Sequence, residues 1–182
     1  MASSINRKVE RKAAQLKWWQ IALISIAVSA LGALSGGNPS QKHEKKVYRN
    51  RKQAPWAPPA WAFGPAWTLN NFFLLLGLRK LLSNHSISDK RKYLLLQACI
   101  WFIFFSFNNV YFKKKSPILA AIWTNADVVL ALAGFIMTRK EDKKAALSYL
   151  PLLVWTSFAS TVGDYQALKN PDPFLKTKAL MG

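Results

Sequence analysis

The sequence predicts an all-α integral membrane protein, a bundle of five transmembrane helices, and three observations carry that prediction. Charges are segregated: 26 lysines and arginines stand in short clusters between long uncharged runs, although mean hydropathy over the 182 residues is near zero. The runs have bilayer length, since a hydrocarbon core about 30 Å thick takes about 20 residues of helix and a charge at mid-depth is expensive. They also lack the charged face that a soluble amphipathic helix shows at helical spacing.

The first helix is expected at 18–36, within 24 uncharged residues between Lys17 and Lys42. Trp18 and Trp19 suit an interfacial belt. Residues 1–17 form a basic segment ahead of it. A basic start and an apolar run also describe a secretory signal, but this run exceeds an ordinary signal core, so the helix is read as retained. Gly32 and Gly36 make a GxxxG pair that admits a close neighbour, inside the monomer or at a homodimer seam.

The second helix is expected at 65–82, beginning inside 26 uncharged residues between Lys52 and Arg79 and running on past Arg79 and Lys80. Leading into it is "QAPWAPPAWAFGPAWTLNN", Gln53–Asn71, with four prolines and three tryptophans in nineteen residues. Pro55, Pro58 and Pro59 remove backbone donors and restrict their predecessors, so no continuous helix precedes Pro65, which itself suits a first turn. Trp56 and Trp61 then belong to a stiff non-helical segment at the membrane boundary. Such a segment works as a lid over the bundle or as an interfacial anchor.

The third, fourth and fifth helices are expected at 93–112, 117–138 and 145–168. The last two runs are broken only by Asp127 and Asp164. Asp127, beside Thr124 and Asn125, lies at a depth where an ionisable group must face a cavity or the bundle interior. It is a functional candidate or a group that ties helices together. Asp164 is placed to reach the interface, and Asn70, Asn71, Asn108 and Asn109 to hydrogen-bond between helices. Residues 18–170 thus form one transmembrane domain, and 171–182 a tail.

Composition narrows the function classes. The net charge of +18 is the sum of clusters that flank spans and meet headgroups. No soluble domain remains to present a basic patch to nucleic acid. The basic residues divide 14 to 12 between the two faces, which fixes no orientation. Cys99 is the single cysteine, so no internal disulfide forms. The two histidines, His43 and His85, fall in charged loops, and no HExxH, CxxC, phosphate loop or close carboxylate pair exists. Neither a metal cage nor a hydrolytic triad is indicated, and a haem iron has no evident axial ligand. What the chain offers is aromatic surface, with 8 Trp, 11 Phe and 5 Tyr, which suits planar hydrophobic ligands or an ordinary membrane belt.

The run "WAPPAWAFGPAWTL" resembles the signature of the TspO/MBR family, the bacterial tryptophan-rich sensory proteins and mitochondrial translocator proteins. Its pattern, approximately W-x-P-P-x-W-x-F-x-P-x-W-T-L, is met by Trp56, Pro58, Pro59, Trp61, Phe63, Pro65, Trp67, Thr68 and Leu69. "YLPLLVWTSFAS" is similar to a second family motif through Pro151, Leu153, Trp155, Phe158 and Ala159. At 100° per residue, Trp155, Phe158, Ala159 and Val162 share one helix face.

Five departures stand beside these matches. Phe104, Phe107 and Asn108 occupy the places of the family's asparagine, tryptophan and serine. Trp123 occupies that of its aspartate, with Asp127 one turn later. Val162 and Gly163 replace a Leu-Asn pair, Leu152 a tyrosine, and the loop 38–53 is unusually basic.

The resemblance implies a five-helix bundle, often dimeric, with a pocket near the first loop. It implies a porphyrin or similar planar hydrophobic ligand, with sterol as another option, and a transport, sensory or regulatory role. Trp56, Trp61 and Phe63 would come from the lid side and Trp155, Phe158 and Ala159 from the fifth helix. Arg49, Arg51 and Lys52 would then meet the ligand's carboxylates. Two other readings stay open: a porphyrin-degrading enzyme using Trp56 or Trp61 with Trp155, and a structural membrane protein without a pocket. Val162, Tyr165 and Lys169 also fit the loose cholesterol pattern. A bacterial envelope is the expected membrane, with an organelle as the alternative.

Overall fold

The computed structural model describes residues 11–35, 46–84, 87 and 90–181, so Gly36, His43 and His85 lie outside the described residues. Five long helices carry the architecture: α1 Trp18–Leu34, α2 Phe63–Ser83, α3 Arg91–Asn108, α4 Pro117–Glu141 and α5 Leu150–Lys169. Among the described residues there is no strand, only an isolated bridge between Asp172 and Thr177.

The helix ends have local causes. Ser116 caps α4, its hydroxyl accepting from the Leu119 amide at 3.2 Å, and Pro117 follows in the first turn, where its missing N–H is harmless. Lys115, at φ 54°, makes the sharp reversal between α3 and α4. Asp142 ends α4 and caps the short helix Lys143–Ala146 by accepting from the Ala145 amide at 2.9 Å. A single 3₁₀ turn, Leu147–Tyr149, leads from there into α5. α3 does not stop at Asn108 but widens into a π turn, Asn109–Lys113. α4 runs past Thr138 through Arg139 and Lys140 because long basic side chains extend from a span's end to water.

Among the described residues three segments, Arg91–Lys113, Pro117–Glu141 and Lys143–Lys169, are long and apolar enough to cross a membrane. α1 is apolar but 17 residues long, about 25 Å at 1.5 Å per residue. α2 is 21 residues long and carries Asn70, Asn71, Arg79 and Lys80. The outward faces are apolar: Leu95, Phe102, Val129, Ile136 and Val154 are all exposed. Side chains of that kind on a helix exterior face lipid tails rather than water.

α4 and α5 form the most extensive pair, α1 lies against α2, and α3 lies against α4. In one half the helices close on a dry core, where Leu74, Leu96, Ile100, Ala131, Tyr149 and Leu152 converge. There Gln97 Nε2 donates to the Tyr149 hydroxyl at 3.1 Å. In the other half they splay. Gly32 turns inward, since a Cβ there would stand 2.5 Å from Phe104 Cζ, and Asn108 Nδ2 donates to its carbonyl at 2.9 Å. Gly32 therefore serves packing inside the monomer. Asn71 bridges to α1, donating to Ser29 Oγ at 2.9 Å.

Two regions gain contacts that the sequence did not indicate. Asp164 accepts from Asn125 Nδ2 at 2.7 Å and joins α4 to α5. Residues 171–181, in the tail, are fastened to the bundle. Asp172 is fully buried, and its carboxylate accepts from Ser116 Oγ (2.5 Å) and from the amides of Ile118 (3.1 Å), Phe174 (3.0 Å) and Leu175 (2.8 Å).

Candidate functional site

The splayed half encloses a cavity of about 600 Å³. All five long helices contribute: Gly32 from α1, Phe63 and Trp67 from α2, Phe104 and Phe107 from α3, Thr124 from α4, and Trp155 and Phe158 from α5. The size lies within the roughly 300–1,000 Å³ of small-molecule sites, and the lining is predominantly aromatic, as in sites for apolar ligands.

The proline-rich segment folds over the opening. Pro55, Pro58 and Pro59 keep it out of helix until the turn Ala60–Ala62, and its inner face brings Pro58 and Trp61 onto the cavity, beside Tyr48 from the helical turn that precedes it. Of the two readings of this segment, the geometry is that of a lid. Its base is held by a chain of polar contacts. Asn170 accepts from the Lys52 amide at 2.8 Å and donates to the Lys52 carbonyl at 3.1 Å. Gln166 Nε2 donates to Gln53 Oε1 at 2.7 Å, and Gln166 Oε1 accepts from the Tyr111 hydroxyl at 2.8 Å. Gln53 Nε2 in turn donates to the Tyr48 carbonyl, and the Tyr48 hydroxyl donates to the Pro58 carbonyl at 2.8 Å. Tyr111 belongs to the π turn, a device that re-aims side chains and is frequent at functional sites.

Burial, and secondly the neighbouring Tyr111, pushes the Tyr48 phenol up to about 12. Arg51 lies over the Tyr111 ring at 4.1 Å and donates Nη2 to the Tyr111 carbonyl at 3.2 Å. Burial holds its guanidinium below the ordinary value. Arg51 thus pins the lid from within rather than standing at the mouth. Arg49 and Lys52 are exposed.

Five of the six residues expected at the site, Trp61, Phe63, Trp155, Phe158 and Ala159, line this one cavity. Phe63 meets Trp155 edge to face at 5.6 Å. Trp61 remains 71% exposed, with its inner edge on the cavity. Trp56 is not among the lining residues. It lies across the outside of α5, edge to face with Tyr165 at 5.7 Å, its Nε1 donating to Thr161 Oγ1 at 3.1 Å. Its place is a latch of the lid rather than the wall of the pocket. Val162 lines the cavity while Tyr165 packs under Trp56, so the two halves of the loose sterol pattern have different surroundings.

Sequence reasoning missed Tyr48, Trp67, Tyr111 and Gln166 as wall residues. One signal was present: Phe104, Phe107, Asn108 and Tyr111 follow the i, i+3, i+4, i+7 spacing of one helix face, as Trp155, Phe158, Ala159 and Val162 do. Gly163 completes the wall, because a Cβ there would stand 3.2 Å from Thr124 Oγ1 and push α4 from α5. Asp127 is absent from the lining. It is 1% exposed, and neither carboxylate oxygen has a partner among the described residues.

The TspO/MBR family model matches residues 22–165. The chain is 25% identical over 161 residues to "Tryptophan-rich protein TspO" of Chlorobaculum tepidum, covering 84% of this chain and 98% of that protein. It is 28% identical over 140 residues to the protein of the same name from Archaeoglobus fulgidus, covering 75% and 88%. It is 40% identical over 60 residues to "Translocator protein homolog" of Schizosaccharomyces pombe, covering 33% and 32%.

Proposed function

Since the chain belongs to the TspO/MBR family of multi-pass membrane proteins, we propose that it binds a planar hydrophobic ligand of the tetrapyrrole class beneath the lid and serves its transport or sensing. One observation carries this reading: three tryptophans and five phenylalanines from the lid, α2, α3, the π turn after it and α5 line a single cavity of about 600 Å³. Rings at that density give stacking and edge contacts to a flat apolar body. In this reading all five long helices cross the bilayer, α1 anchored by Trp18 and Trp19.

The lining fits a metal-free ring better than an iron-bound one. No histidine, methionine or cysteine is among the described lining residues, and the Tyr48 and Tyr111 hydroxyls are committed to Pro58 and Gln166. Arg49 and Lys52, exposed on the lid, would pair with carboxylates on the ligand's rim.

Titrating the purified chain in nanodiscs with protoporphyrin tests this. Tryptophan emission should quench to saturation, and Trp155→Leu should weaken binding by about 2- to 10-fold, the loss of one or two aromatic contacts. Quenching that stays linear in ligand defeats the proposal. The degradation reading is favoured by Trp61, Trp67 and Trp155 lining the same cavity. Under illumination it requires new absorbing products that disappear in Trp155→Phe.

A further inference from the structure

The chain's last eleven described residues are folded into a rigid projection at the lid end. Asp172 accepts from the amides of Phe174 and Leu175, and two backbone bonds join Asp172 and Thr177 at 3.0 and 3.1 Å. Lys176, at φ 55°, closes the turn, and the Met181 amide returns to the Leu168 carbonyl at 2.8 Å. Asp172 fastens the projection to the N-terminus of α4 through Ser116 and Ile118.

So much internal bonding would ordinarily serve to bury apolar side chains, yet this turn exposes them. Phe174, Leu175, Leu180 and Met181 are all exposed. Between and beside them stand Lys176 and Lys178 and, from the α3–α4 turn, Lys113, Lys114 and Lys115, all exposed. Lys114 Nζ lies 4.3 Å over the Phe174 ring. In residues 109–117 and 168–181 the only acid is Asp172, and it is buried with its hydrogen bonds filled. The projection leaves the bundle where α3 and α5 end, which is the headgroup level of a bilayer that holds them.

We propose that this C-terminal turn is an interfacial wedge for anionic phospholipid, with Phe174, Leu175, Leu180 and Met181 entering the acyl boundary and the five lysines taking headgroup phosphates. Apolar side chains held among lysines are the composition that binds at a membrane surface, where each lysine gives about a fivefold gain toward an anionic leaflet. The excess of cations without exposed carboxylates favours anionic over zwitterionic headgroups. The wedge begins two residues after Asn170, which clamps Lys52, so leaflet contact and the lid share one anchor.

The test uses the full chain with Cys99→Ser and Thr177→Cys, labelled at residue 177 with a fluorophore and reconstituted in phosphatidylcholine vesicles. Trace phosphatidylglycerol or phosphatidylcholine carries the same headgroup-region quencher. The phosphatidylglycerol form should associate with the label at least about fivefold more strongly. Replacing Lys113, Lys114, Lys115, Lys176 and Lys178 by Gln should bring the ratio to about one while tryptophan emission from the bundle is unchanged. Equal quenching by the two lipids, or a preference that survives the five replacements, overturns the proposal. Replacing Phe174 and Leu175 by Ser should withdraw the label from both quenchers, and unchanged quenching there overturns the wedge.

Discussion

Gln166→Leu isolates the lid's hinge of polar contacts. Gln166 is 2% exposed and joins two elements, accepting from the Tyr111 hydroxyl and donating to Gln53. Leucine fills nearly the same volume and removes both bonds, leaving a buried phenol and the Gln53 carbonyl oxygen without partners. Each hydrogen bond contributes about 0.5–1.5 kcal/mol, and an orphaned buried group costs about 1–3 kcal/mol. The closed lid should lose about 2–4 kcal/mol, roughly a 30- to several-hundred-fold rise in its open population. The contacts of Asn170 with Lys52 and of Trp56 with Thr161 remain. Amide hydrogen exchange is the assay. Residues 51–62 should exchange faster by that factor, while the amides around Leu74, Ile100 and Leu152 keep their rates. Ligand entry and exit should both accelerate. Unchanged lid exchange, or acceleration spread evenly over all five helices, would show that Gln166 supports the bundle and not the lid.

The Tyr48 phenol titrates at about 12 against an ordinary value of 10.0, so the folded lid favours the neutral form. That stabilisation is complete below about pH 10 and is lost as pH rises through about 12, so lid exchange should accelerate across this window and the step should vanish in Tyr48→Phe. Asp172→Ala removes the acceptor of four hydrogen bonds and should lower stability by at least about 3 kcal/mol, read as a lower thermal midpoint and early proteolysis after Lys169. Gly32→Val sets a side chain where Phe104 stands and should cost about 1–3 kcal/mol while driving the ring into the cavity, seen as weaker ligand binding. Asp127→Leu should stabilise the bundle by about 1–3 kcal/mol in denaturant titration, because it removes a buried carboxyl that has no partner among the described residues, and it should leave ligand affinity unchanged. A destabilised Asp127→Leu would mean that the carboxyl makes a bond essential to the fold.

The three segments Arg91–Lys113, Pro117–Glu141 and Lys143–Lys169 were legible as spans because lipid demands one thing of a helix exterior, and uncharged runs record it directly. Helix ends were less so. The π turn after Asn108 depends on Tyr111 reaching Gln166, a contact between residues 55 apart in the chain, and no local pattern encodes it. The fold of the tail was hidden for the same reason: Asp172 finds Ser116 only once α3–α4 and α5 end side by side. Within the site, Trp155, Phe158 and Ala159 were picked out by the family motif, and helical spacing put them on one face. Trp56 could not be told from Trp61, because prolines fix a stiff segment without fixing which side of it faces in.

The departures from the family motifs are not scattered over the fold. Phe104, Phe107, Asn108, Val162 and Gly163 all border the cavity, whereas Trp123 and Leu152 do not. Their chemistry runs in one direction. Where the third-helix motif has an asparagine, Phe104 supplies a ring, packed edge to face with Trp101 and Phe105 and tilted against Trp67. Where it has a serine, Asn108 spends its amide on the Gly32 carbonyl. Where the fifth helix has Leu-Asn, Val162 and Gly163 bring no polar group, and the glycine draws α5 onto Thr124, whose hydroxyl is already bonded to its own helix. Of the other polar groups, Tyr48, Tyr111 and Gln166 are bonded within the lid and its base, Ser29 accepts from Asn71 and Thr68 donates to the Gly64 carbonyl, while Trp155 Nε1 has no partner among the described residues. A ligand here is therefore held by ring contact and shape, and hydrogen bonding is concentrated in closing the lid above it. Selectivity within such a cavity rests on flatness and size, so planar macrocycles that keep the rim carboxylates facing Arg49 and Lys52 and differ only in their other peripheral polar groups should bind with closely similar affinity, and a steep dependence on those groups would point to Trp155 Nε1, a buried donor of the lining without a partner among the described residues.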